Sequence, residues 1–290
     1  MHAIKQLNHA PWLFRAASFL IEHRIRGGDR LVDWASRLGV MNCRVRYPLS
    51  SRVSLDVPLY RPDNQWSRNE VVGYESKLIG LVSRLANPLP GPVRLIDCGA
   101  DIGTVSALLT SRCPALTELW ALEPNPVAFE VLQGNIKRLP LRGHACRVAV
   151  CDFTGRGRLQ RSTTDPSDHA MFLAPAADGD IEVIRIDDLN VPTDGSLVIK
   201  IDVEGFEINV LRGAVATLGR VSNWIVVFEA HREVCTRTGI DPRECLRLLN
   251  GIRPIAALIG ERPDLRLDFE RPYFEQVTEP KITNVVCRSL

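Results

Sequence analysis

The sequence predicts an α/β protein with a doubly wound, mostly parallel sheet, preceded by a helical and β-hairpin extension. Short apolar runs typical of strands alternate with helical segments from residue 93 to residue 229. The proline-rich segment 87–92 separates this alternation from the residues before it. The chain of 290 residues, 45% hydrophobic and 24% charged, can bury one full-sized core. We therefore expect an N-terminal extension at 1–68 and a main domain at 69–290 with a flap-like insert at 151–187.

The periodicity and the turn residues predict the individual elements. In the extension we expect helices at Pro11 to Arg26 and Leu31 to Leu38, then a small hairpin within Cys43 to Tyr60. The main domain should contain helices at Asn69–Leu85, Gly103–Arg112, Val127–Leu139 and Phe206–Leu218, and strands at Val93–Cys98, Leu119–Leu122, Ala145–Val150, Leu197–Asp202 and Trp224–Glu229. Short β-like pieces within the insert indicate a two-stranded flap. Ligands of such folds gather where the strands end.

Composition favours a cytoplasmic protein. The apolar run from Trp12 to Ile21 is interrupted by Arg15 and is too short to span a bilayer, and no cleavage site follows it. The eight cysteines are scattered without a CxxC pair, which predicts free thiols rather than disulfides or zinc ligands. Residues 1–68 hold 11 Lys/Arg against 5 Asp/Glu. This basic extension is either a solvated arm or a contact for a membrane surface or an anionic acceptor.

A strand runs into a glycine loop at Leu95-Ile96-Asp97-Cys98-Gly99-Ala100-Asp101-Ile102-Gly103. Asp97 ends the strand, and the glycines let the backbone approach a ligand while the next helix presents its N-terminal amides. Such a loop suits a nucleoside that carries a carboxylate. A nicotinamide dinucleotide is disfavoured, because its G-x-G-x-x-G fingerprint lacks the middle glycine here.

The next strand ends in Leu122-Glu123-Pro124-Asn125-Pro126. Glu123 therefore lies one βα unit after the glycine loop, where it can accept hydrogen bonds from both ribose hydroxyls. Asn125 is a candidate for a nucleoside contact, although its position favours the N-cap of the following helix.

Two later strands also deliver polar side chains to the same edge. In the run from Lys200 to Glu207, Asp202 and Glu204 can either position an acceptor hydroxyl or, with Glu229, hold a divalent metal, which the spacing does not specifically indicate. A further strand presents Glu229 and then His231 on one side. His231 is our candidate general base, with His169 of the insert as the second candidate.

Together these motifs resemble the FkbM family of methyltransferases. The resemblance covers roughly residues 70–232 in the correct order and is carried by the runs 96–103, 123–126, 200–207 and 228–231 and by Asn135. The run from Lys200 to Glu207 is its specific part, since most class I methyltransferases share the glycine loop. Asp101 and Cys98 depart from the family, which commonly has asparagine and valine there.

The resemblance implies a Rossmann-like domain that binds S-adenosylmethionine, releases S-adenosylhomocysteine and methylates a hydroxyl of a sugar, glycolipid or polyketide-type molecule. It implies a cofactor loop formed by Asp97, Gly99, Ala100, Ile102 and Gly103. It also implies that Glu123 holds the ribose and that Asp152 lies near the adenine.

Two alternatives remain open at this point: an NAD(P)-dependent reductase, and an inactive nucleotide-binding partner protein. A nucleic-acid acceptor is disfavoured, because the main domain has no basic stripe interleaved with aromatic residues. The sequence does not specify the oligomeric state.

Overall fold

The computed structural model describes residues 4–161, 171–259 and 265–290. Its largest sheet has seven strands in the order β13-β14-β12-β11-β4-β5-β6. These strands are β4 Val93–Cys98, β5 Leu116–Leu122, β6 Arg142–Cys146, β11 Ser196–Ile201, β12 Asn223–His231, β13 Ile255–Ile259 and β14 Ile282–Ser289. Strands β4, β5, β6, β11 and β12 are parallel, whereas β14 pairs antiparallel with both β12 and β13. The predicted doubly wound α/β fold is confirmed.

Helices cover the sheet and connect its strands. They are α1 Trp12–Glu22, α2 Gly28–Arg37, α3 Arg68–Gly73, α4 Ser76–Ala86, α5 Thr104–Arg112, α6 Pro126–Lys137, α7 Glu207–Arg212, α8 Val215–Arg220, α9 Arg232–Thr238, α10 Arg243–Ile252 and α11 Tyr273–Gln276. The chain passes from β4 to β5 on one side and returns through β11 on the other, so the order reverses between β4 and β11. Open α/β sheets bind ligands at such a switch point.

The extension forms a three-stranded sheet that packs onto the main domain. Its strands are β1 Lys5–Leu7, β2 Cys43–Pro48 and β3 Ser54–Pro58, so the predicted hairpin is present. Val45 and Leu55 of this hairpin share one buried hydrophobic cluster with Ile79 and Leu95. The amide of Asn135 bonds to the backbone of Asp56 at 2.8 and 3.0 Å and to the carbonyl oxygen of Ile102 at 2.7 Å. Asn135 thus links the extension to the glycine loop.

The insert contributes to a four-stranded sheet of its own, in the order β7-β10-β8-β9, rather than the predicted two-stranded flap. These strands are β7 Val148–Val150, β8 Gly155–Arg161, β9 Met171–Pro175 and β10 Ile181–Ile184. The segment predicted as one strand from Ala145 to Val150 is therefore two strands. The chain leaves the main sheet after Cys146, because 148–150 pair with β10 of the insert.

Two predicted helices are each divided in two. The helix expected at Asn69–Leu85 breaks between α3 and α4, where Glu75 adopts a left-handed backbone conformation with φ 43°. The helix expected at Phe206–Leu218 breaks at Gly213, whose carbonyl oxygen accepts a hydrogen bond from the Asp187 amide. The Asp187 carboxylate also accepts from the Thr217 amide at 2.7 Å, near the start of α8. Contacts from distant segments cause this second break, so periodicity alone could not reveal it.

Among the described residues, no helix is long and apolar enough to cross a membrane.

Candidate active site

A cavity of 390 Å³ opens at the carboxyl ends of β4, β5 and β11. Side chains and backbone from the glycine loop, from the insert and from residues 63–74 line it together. Val148, Val150, Leu159 and Leu173 form an apolar wall on one side. Lys200, Asp202 and Glu204 are also part of the lining. One cavity is therefore lined by several of the polar residues that the sequence predicts at strand ends.

The glycines of the loop are required by packing between neighbouring segments. Gly99 and Gly103 have φ values of 75° and 87°, which L side chains rarely adopt. A Cβ on Gly99 would overlap the carbonyl oxygen of Asp202, and one on Gly103 would lie 2.9 Å from the Leu132 side chain. Only Gly99 of the two lines the cavity. The loop thus needs glycine to pass closely over β11 and α6.

Asp97 is a fully buried carboxylate at the end of β4. Its Oδ2 accepts a hydrogen bond from the Ser106 hydroxyl at 2.6 Å, whereas its Oδ1 has no partner among the described residues. Burial raises the pKa of Asp97, and the positive charge of Lys200 partly offsets this effect. A buried acceptor without a partner is costly, so Asp97 is suited to a ligand that donates a hydrogen bond or carries positive charge.

Glu123 is buried at the end of β5 and receives two backbone hydrogen bonds. Its Oε2 accepts from the Asp101 amide and its Oε1 from the Asn125 amide, both at 2.8 Å. Burial, followed by the charge of Asp101, raises the pKa of Glu123 to about 7. Asn125 caps α6, because its side chain accepts from the Val127 amide at 3.0 Å. The cap interpretation of Asn125 is confirmed, and the residue also lines the cavity.

The extension holds the outer side of the glycine loop. Arg61 donates to Asp101 Oδ1 at 2.8 Å, and Asn64 donates to Asp101 Oδ2 at 3.0 Å. Asp101 adopts a left-handed conformation with φ 46°, which aspartate and asparagine tolerate better than most residues. The negative charge of Asp101 is therefore paired, since the buried Arg61 neutralises it.

Lys200 is buried at the end of β11 among acidic groups. Its ammonium lies 2.7 Å from Asp202 Oδ2. Burial alone would lower the pKa of Lys200, but Asp202, Asp97 and Glu75 raise it well above its ordinary value. The lysine is therefore a fixed positive charge in the wall of the cavity.

A smaller pocket of 20 Å³ shares Glu204 with the main cavity and is also lined by Glu207, Glu229 and His231. Burial and the nearby Asp202 and Glu204 carboxylates raise the pKa of Glu229 to about 8. His231 lines this pocket and not the main cavity. Its Nδ1 accepts from the Val234 amide at 3.2 Å and caps α9.

This geometry argues against our candidate base. A neutral imidazole that accepts at Nδ1 carries its proton on Nε2, so neither nitrogen of His231 offers a free lone pair. Asp202 and Glu204, the other predicted catalytic residues, do line the cavity. His169 lies outside the described residues.

Three predicted cofactor residues lie away from the cavity surface. Ile102 is fully buried in the hydrophobic cluster, and Gly103 packs against α6. Asp152 does not line the cavity, because its Oδ2 accepts from the Asn209 amide group at 2.9 Å, near α7. In contrast, Asp97, Gly99, Ala100, Glu123 and Asn125 all line it.

Three lining residues from the extension and from the segment just after it were not among the predicted site residues. Asn64, Trp66 and Tyr74 line the cavity, and the rings of Trp66 and Tyr74 stack with centroids 5.1 Å apart. In the sequence, Trp66 and Tyr74 stand out only as aromatic residues beside a basic segment. That pattern is too common to predict a site. Within the described part of the chain, no group of three or more His, Cys, Asp or Glu is arranged to hold a metal ion.

Comparisons with known proteins place these features in a family. The model of the methyltransferase FkbM domain matches residues 97–251. The hexuronic acid methyltransferase AglP of Haloferax volcanii is 28% identical over 162 residues, which are 54% of this chain and 61% of AglP. The chain thus spans about three fifths of the length of this relative.

Solved structures of methyltransferases are also similar. The methyltransferase FkbM from Methylobacillus flagellatus KT aligns with a TM-score of 0.44 and 17% identity, over 90% of this chain and 60% of that one. TYW2 of M. jannaschii, crystallised with AdoMet, aligns with a TM-score of 0.41 and 11% identity, over 84% of each chain.

The doubly wound sheet, the glycine loop and the family match define a class I S-adenosylmethionine-dependent methyltransferase. Within that class, the chain belongs to the FkbM family.

The residues of the cavity fit S-adenosylmethionine. The unpartnered Oδ1 of Asp97 provides a buried acceptor for a positively charged donor. Glu123 retains lone pairs for ribose hydroxyls beyond its two backbone bonds. The apolar wall formed by Val148, Val150, Leu159 and Leu173 suits the faces of an adenine ring. These residues would hold the nucleoside and methionine portions of the cofactor.

Proposed function

We propose that this chain transfers a methyl group to a hydroxyl oxygen of a sugar-type acceptor. The observation that carries this proposal is the position of Asp202. Its carboxylate lines the same cavity as Asp97 and Glu123 and is held at 2.7 Å by the Lys200 ammonium. A proton acceptor fixed beside the cofactor-binding loop is what transfer to a hydroxyl requires.

The aromatic pair supports a sugar as the acceptor. Trp66 and Tyr74 present stacked rings to the cavity, whose lining also includes Asp202 and Glu204. Aromatic faces pack against the apolar C–H face of a sugar, and carboxylates accept hydrogen bonds from its hydroxyls. A polyketide-type substrate also offers a hydroxyl group, but it has less need of aromatic side chains flanked by carboxylates.

The chain's own residues have three tasks in this reaction. S-adenosylmethionine supplies an activated methyl group on sulfur when it is bound. Asp97 and Glu123 bind and orient it, while the wall of Val148, Val150, Leu159 and Leu173 excludes water. Asp202 accepts the hydroxyl proton as the new bond to oxygen forms.

Lys200 positions Asp202 and keeps one of its oxygens engaged, which leaves the other oxygen for the acceptor hydroxyl. Asp97, Asp202 and Glu75 surround the positive charge of Lys200, so the choice of sugar comes from the comparison with known proteins and not from the charge of the cavity. The relative that methylates a hexuronic acid supports this choice of sugar. We therefore propose an acidic hexose derivative as the first acceptor to test.

The test is transfer of a labelled methyl group from S-adenosylmethionine to glucuronic acid, galacturonic acid and the matching neutral hexoses. NMR of the product would distinguish an O-methyl ether from a methyl ester. We expect an ether and a preference for the acidic sugars. Formation of an ester, or of N- or C-methylated products only, would refute the proposed reaction.

Cofactor binding separates the rival functions. Calorimetry should show binding of S-adenosylhomocysteine and none of NADPH, whereas a reductase would show the reverse. An inactive nucleotide-binding partner would bind S-adenosylhomocysteine, yet methylate none of the sugars.

The eight cysteines are free thiols, which supports our expectation that the protein works in the reducing cytoplasm.

A further inference from the structure

A second, larger cavity lies in the extension, away from the residues that hold the cofactor. This groove measures 700 Å³ and lies beside α1 and the β2–β3 hairpin. Its apolar surface is provided by Ala10, Phe14, Phe19, Tyr47 and Pro48. Phe14 and Tyr47 are buried, whereas Phe19 remains 54% exposed. Phe19 also contacts the His23 ring, with centroids 4.1 Å apart, and it adds exposed apolar surface to the groove.

The charges around this groove are mainly positive. Arg15 and Arg68 contribute to its lining, and within the described part of the chain neither guanidinium has an ion-pair partner. Arg46 also lines it but is paired with Asp56 at 2.7 Å. The one carboxylate in the lining is Glu22, which accepts hydrogen bonds from Ser67 at 3.2 Å and Asn69 at 3.4 Å. The unpaired charges thus favour an anion.

The groove adjoins the active-site cavity through one short segment. Asn64 and Trp66 line the cavity, whereas Ser67 and Arg68, the next residues along the chain, line the groove. The hydroxyl of Tyr47 in the groove donates to the carbonyl oxygen of Trp66 at 3.1 Å. The cavity and the groove therefore lie on either side of residues 64–68, with Arg68 on the side of the groove.

We propose that the groove binds the alkyl chain of a lipid-linked sugar phosphate, the acceptor form that this enzyme methylates. The sugar would occupy the cavity at Trp66 and Tyr74, the phosphate would lie at Arg15 and Arg68, and the alkyl chain would contact Phe14 and Phe19. This inference rests on the proposed function, because it places the methylated sugar in the cavity. Apolar contact for the chain and guanidinium groups for the phosphate match the two parts of such a molecule.

The shape of the surface favours a single alkyl chain over the plane of a bilayer. A bilayer contact needs apolar side chains that project outward from an amphipathic face. Here the apolar surface is recessed between α1 and the hairpin, and two of its aromatic side chains, Phe14 and Tyr47, are buried. A concave apolar surface with a few charged groups is typical of a small-ligand site.

Calorimetry with n-decyl phosphate below its micellar concentration tests the site directly. Decanol and inorganic phosphate serve as probes of the two halves of the ligand. We expect decyl phosphate to bind at least about tenfold more tightly than either, because it engages the groove and the arginines together. Equal binding of decyl phosphate and decanol would refute the role of the arginines.

The variant Arg15→Gln/Arg68→Gln should weaken decyl phosphate binding about tenfold or more while leaving decanol binding nearly unchanged. The matched control Arg30→Gln/Arg52→Gln removes two arginines that do not line the groove, and it should behave like the parent protein. Phe19→Ser should weaken both decyl phosphate and decanol. An equal loss in the control variant would show a non-specific charge effect and overturn the proposal.

A final comparison separates this inference from the proposed function. Decyl phosphate should inhibit methylation of a decyl-phospho-glucuronide competitively, and this conjugate should have a lower KM than free glucuronic acid. If both sugars are methylated with the same KM, the groove inference fails and the proposed function stands. If decyl phosphate binds through Arg15 and Arg68 but no sugar is methylated, the proposed function fails. Binding to anionic lipid vesicles without binding of monomeric decyl phosphate would replace the groove site with a membrane surface.

Discussion

The two ends of the active-site cavity are built in different ways. At one end, Asp97 and Glu123 follow directly from β4 and β5 and are held by partners nearby in the chain. Asp97 bonds to Ser106 nine residues later, and Glu123 bonds to the amide of Asn125 two residues later. At the other end, Lys200 and Asp202 share the lining with Trp66 and Tyr74, which lie more than a hundred residues earlier, and Lys200 pairs with Asp97 across β11 and β4. We call these the donor end and the acceptor end.

The difference shows how the extension takes part in both ends. Partners nearby in the chain bind the carboxylates of Asp97 and Glu123, but the extension also holds the glycine loop through Arg61 and Asn64. The acceptor end forms only when the extension packs onto the sheet through Asn135 and the shared hydrophobic cluster. The extension therefore supplies Trp66 to the acceptor end and also supports the glycine loop of the donor end.

The strongest test of this division is Asp202→Asn at the acceptor end. We expect kcat to fall by about 10²–10⁴, which is the contribution of a positioned general base. Binding of S-adenosylhomocysteine should change little, because Asp97 and Glu123 hold the donor end. Steady-state kinetics and calorimetry on one preparation would measure both effects. Asp33→Asn, on the exposed surface of α2, is the matched control.

A large loss of cofactor affinity in Asp202→Asn would contradict the separation of the two ends. Unchanged kcat would instead remove Asp202 from the reaction. Glu204→Gln should then be examined, because Glu204 lines the same cavity.

Asp97→Asn probes the donor end. The variant keeps the shape of the side chain but removes its charge, and the buried Oδ1 is the acceptor that a cofactor would use. We expect the Kd for S-adenosylhomocysteine to rise about 10- to 100-fold, in line with about 1.5–3 kcal/mol for a hydrogen bond to a charged group. Ser106→Ala removes only the internal partner of Oδ2 and should weaken binding less. Equal losses in both variants would mean that Asp97 acts mainly by holding the loop.

The sequence predicted the strand-end residues of the cavity, Asp202 included, far better than the aromatic residues of the acceptor end, for the same physical reason. Asp97, Gly99 and Glu123 follow strands that alternation and turn residues reveal, and their positions depend on local backbone geometry. Trp66 and Tyr74 reach the cavity only through packing between segments distant in the chain, which leaves no periodic signal. The wrong expectations for the helices broken at Glu75 and Gly213 have a related cause, since both breaks lie where the chain also makes contacts with distant segments.

Two predicted site residues do not line the main cavity, because strand ends alone do not tell where a side chain points. Asp152 follows β7, but β7 belongs to the sheet of the insert, and Asn209 binds the carboxylate. His231 ends β12, yet it begins the next helix and its ring is used as a cap. Neither partner could be inferred from the motif.

The pH dependence of cofactor binding gives a smaller effect at the donor end. Burial raises the pKa of Glu123 to about 7 in the protein without ligand. Protonation of Glu123 removes a hydrogen-bond acceptor from a carboxylate that serves both the backbone amides and the ribose. Binding of S-adenosylhomocysteine should therefore strengthen about tenfold between pH 6 and pH 8. Glu123→Gln should bind weakly and nearly independently of pH. The same pH dependence in Glu123→Gln would assign the titration to another group.

The contribution of Glu123 to the stability of the folded protein should fall as the pH rises, whereas its contribution to cofactor binding should grow. The pKa of Glu123 is higher in the folded protein than its ordinary value near 4.5. Its contribution to stability is therefore complete below about pH 4.5 and is lost as the pH rises through 7. Urea unfolding without ligand should show that the free energy of unfolding falls between pH 5 and pH 8 more in the parent protein than in Glu123→Gln. A parallel fall in both proteins would contradict the assignment.

The smallest expected effect concerns His231, and it decides whether the acceptor end stops at Asp202 and Glu204. Because Nδ1 caps α9, His231→Ala should lose about 0.5–2 kcal/mol of stability. His231→Asn should recover most of this loss, since asparagine is a good N-cap. Both variants should keep kcat within about twofold of the parent protein, because a neutral imidazole that accepts at Nδ1 has no lone pair left on Nε2. Thermal unfolding and steady-state kinetics of the two variants would measure this. If kcat fell by a hundredfold or more in both while His231→Asn remained stable, the ring would have to leave its cap during catalysis, and the acceptor end would extend into the small pocket that contains Glu229.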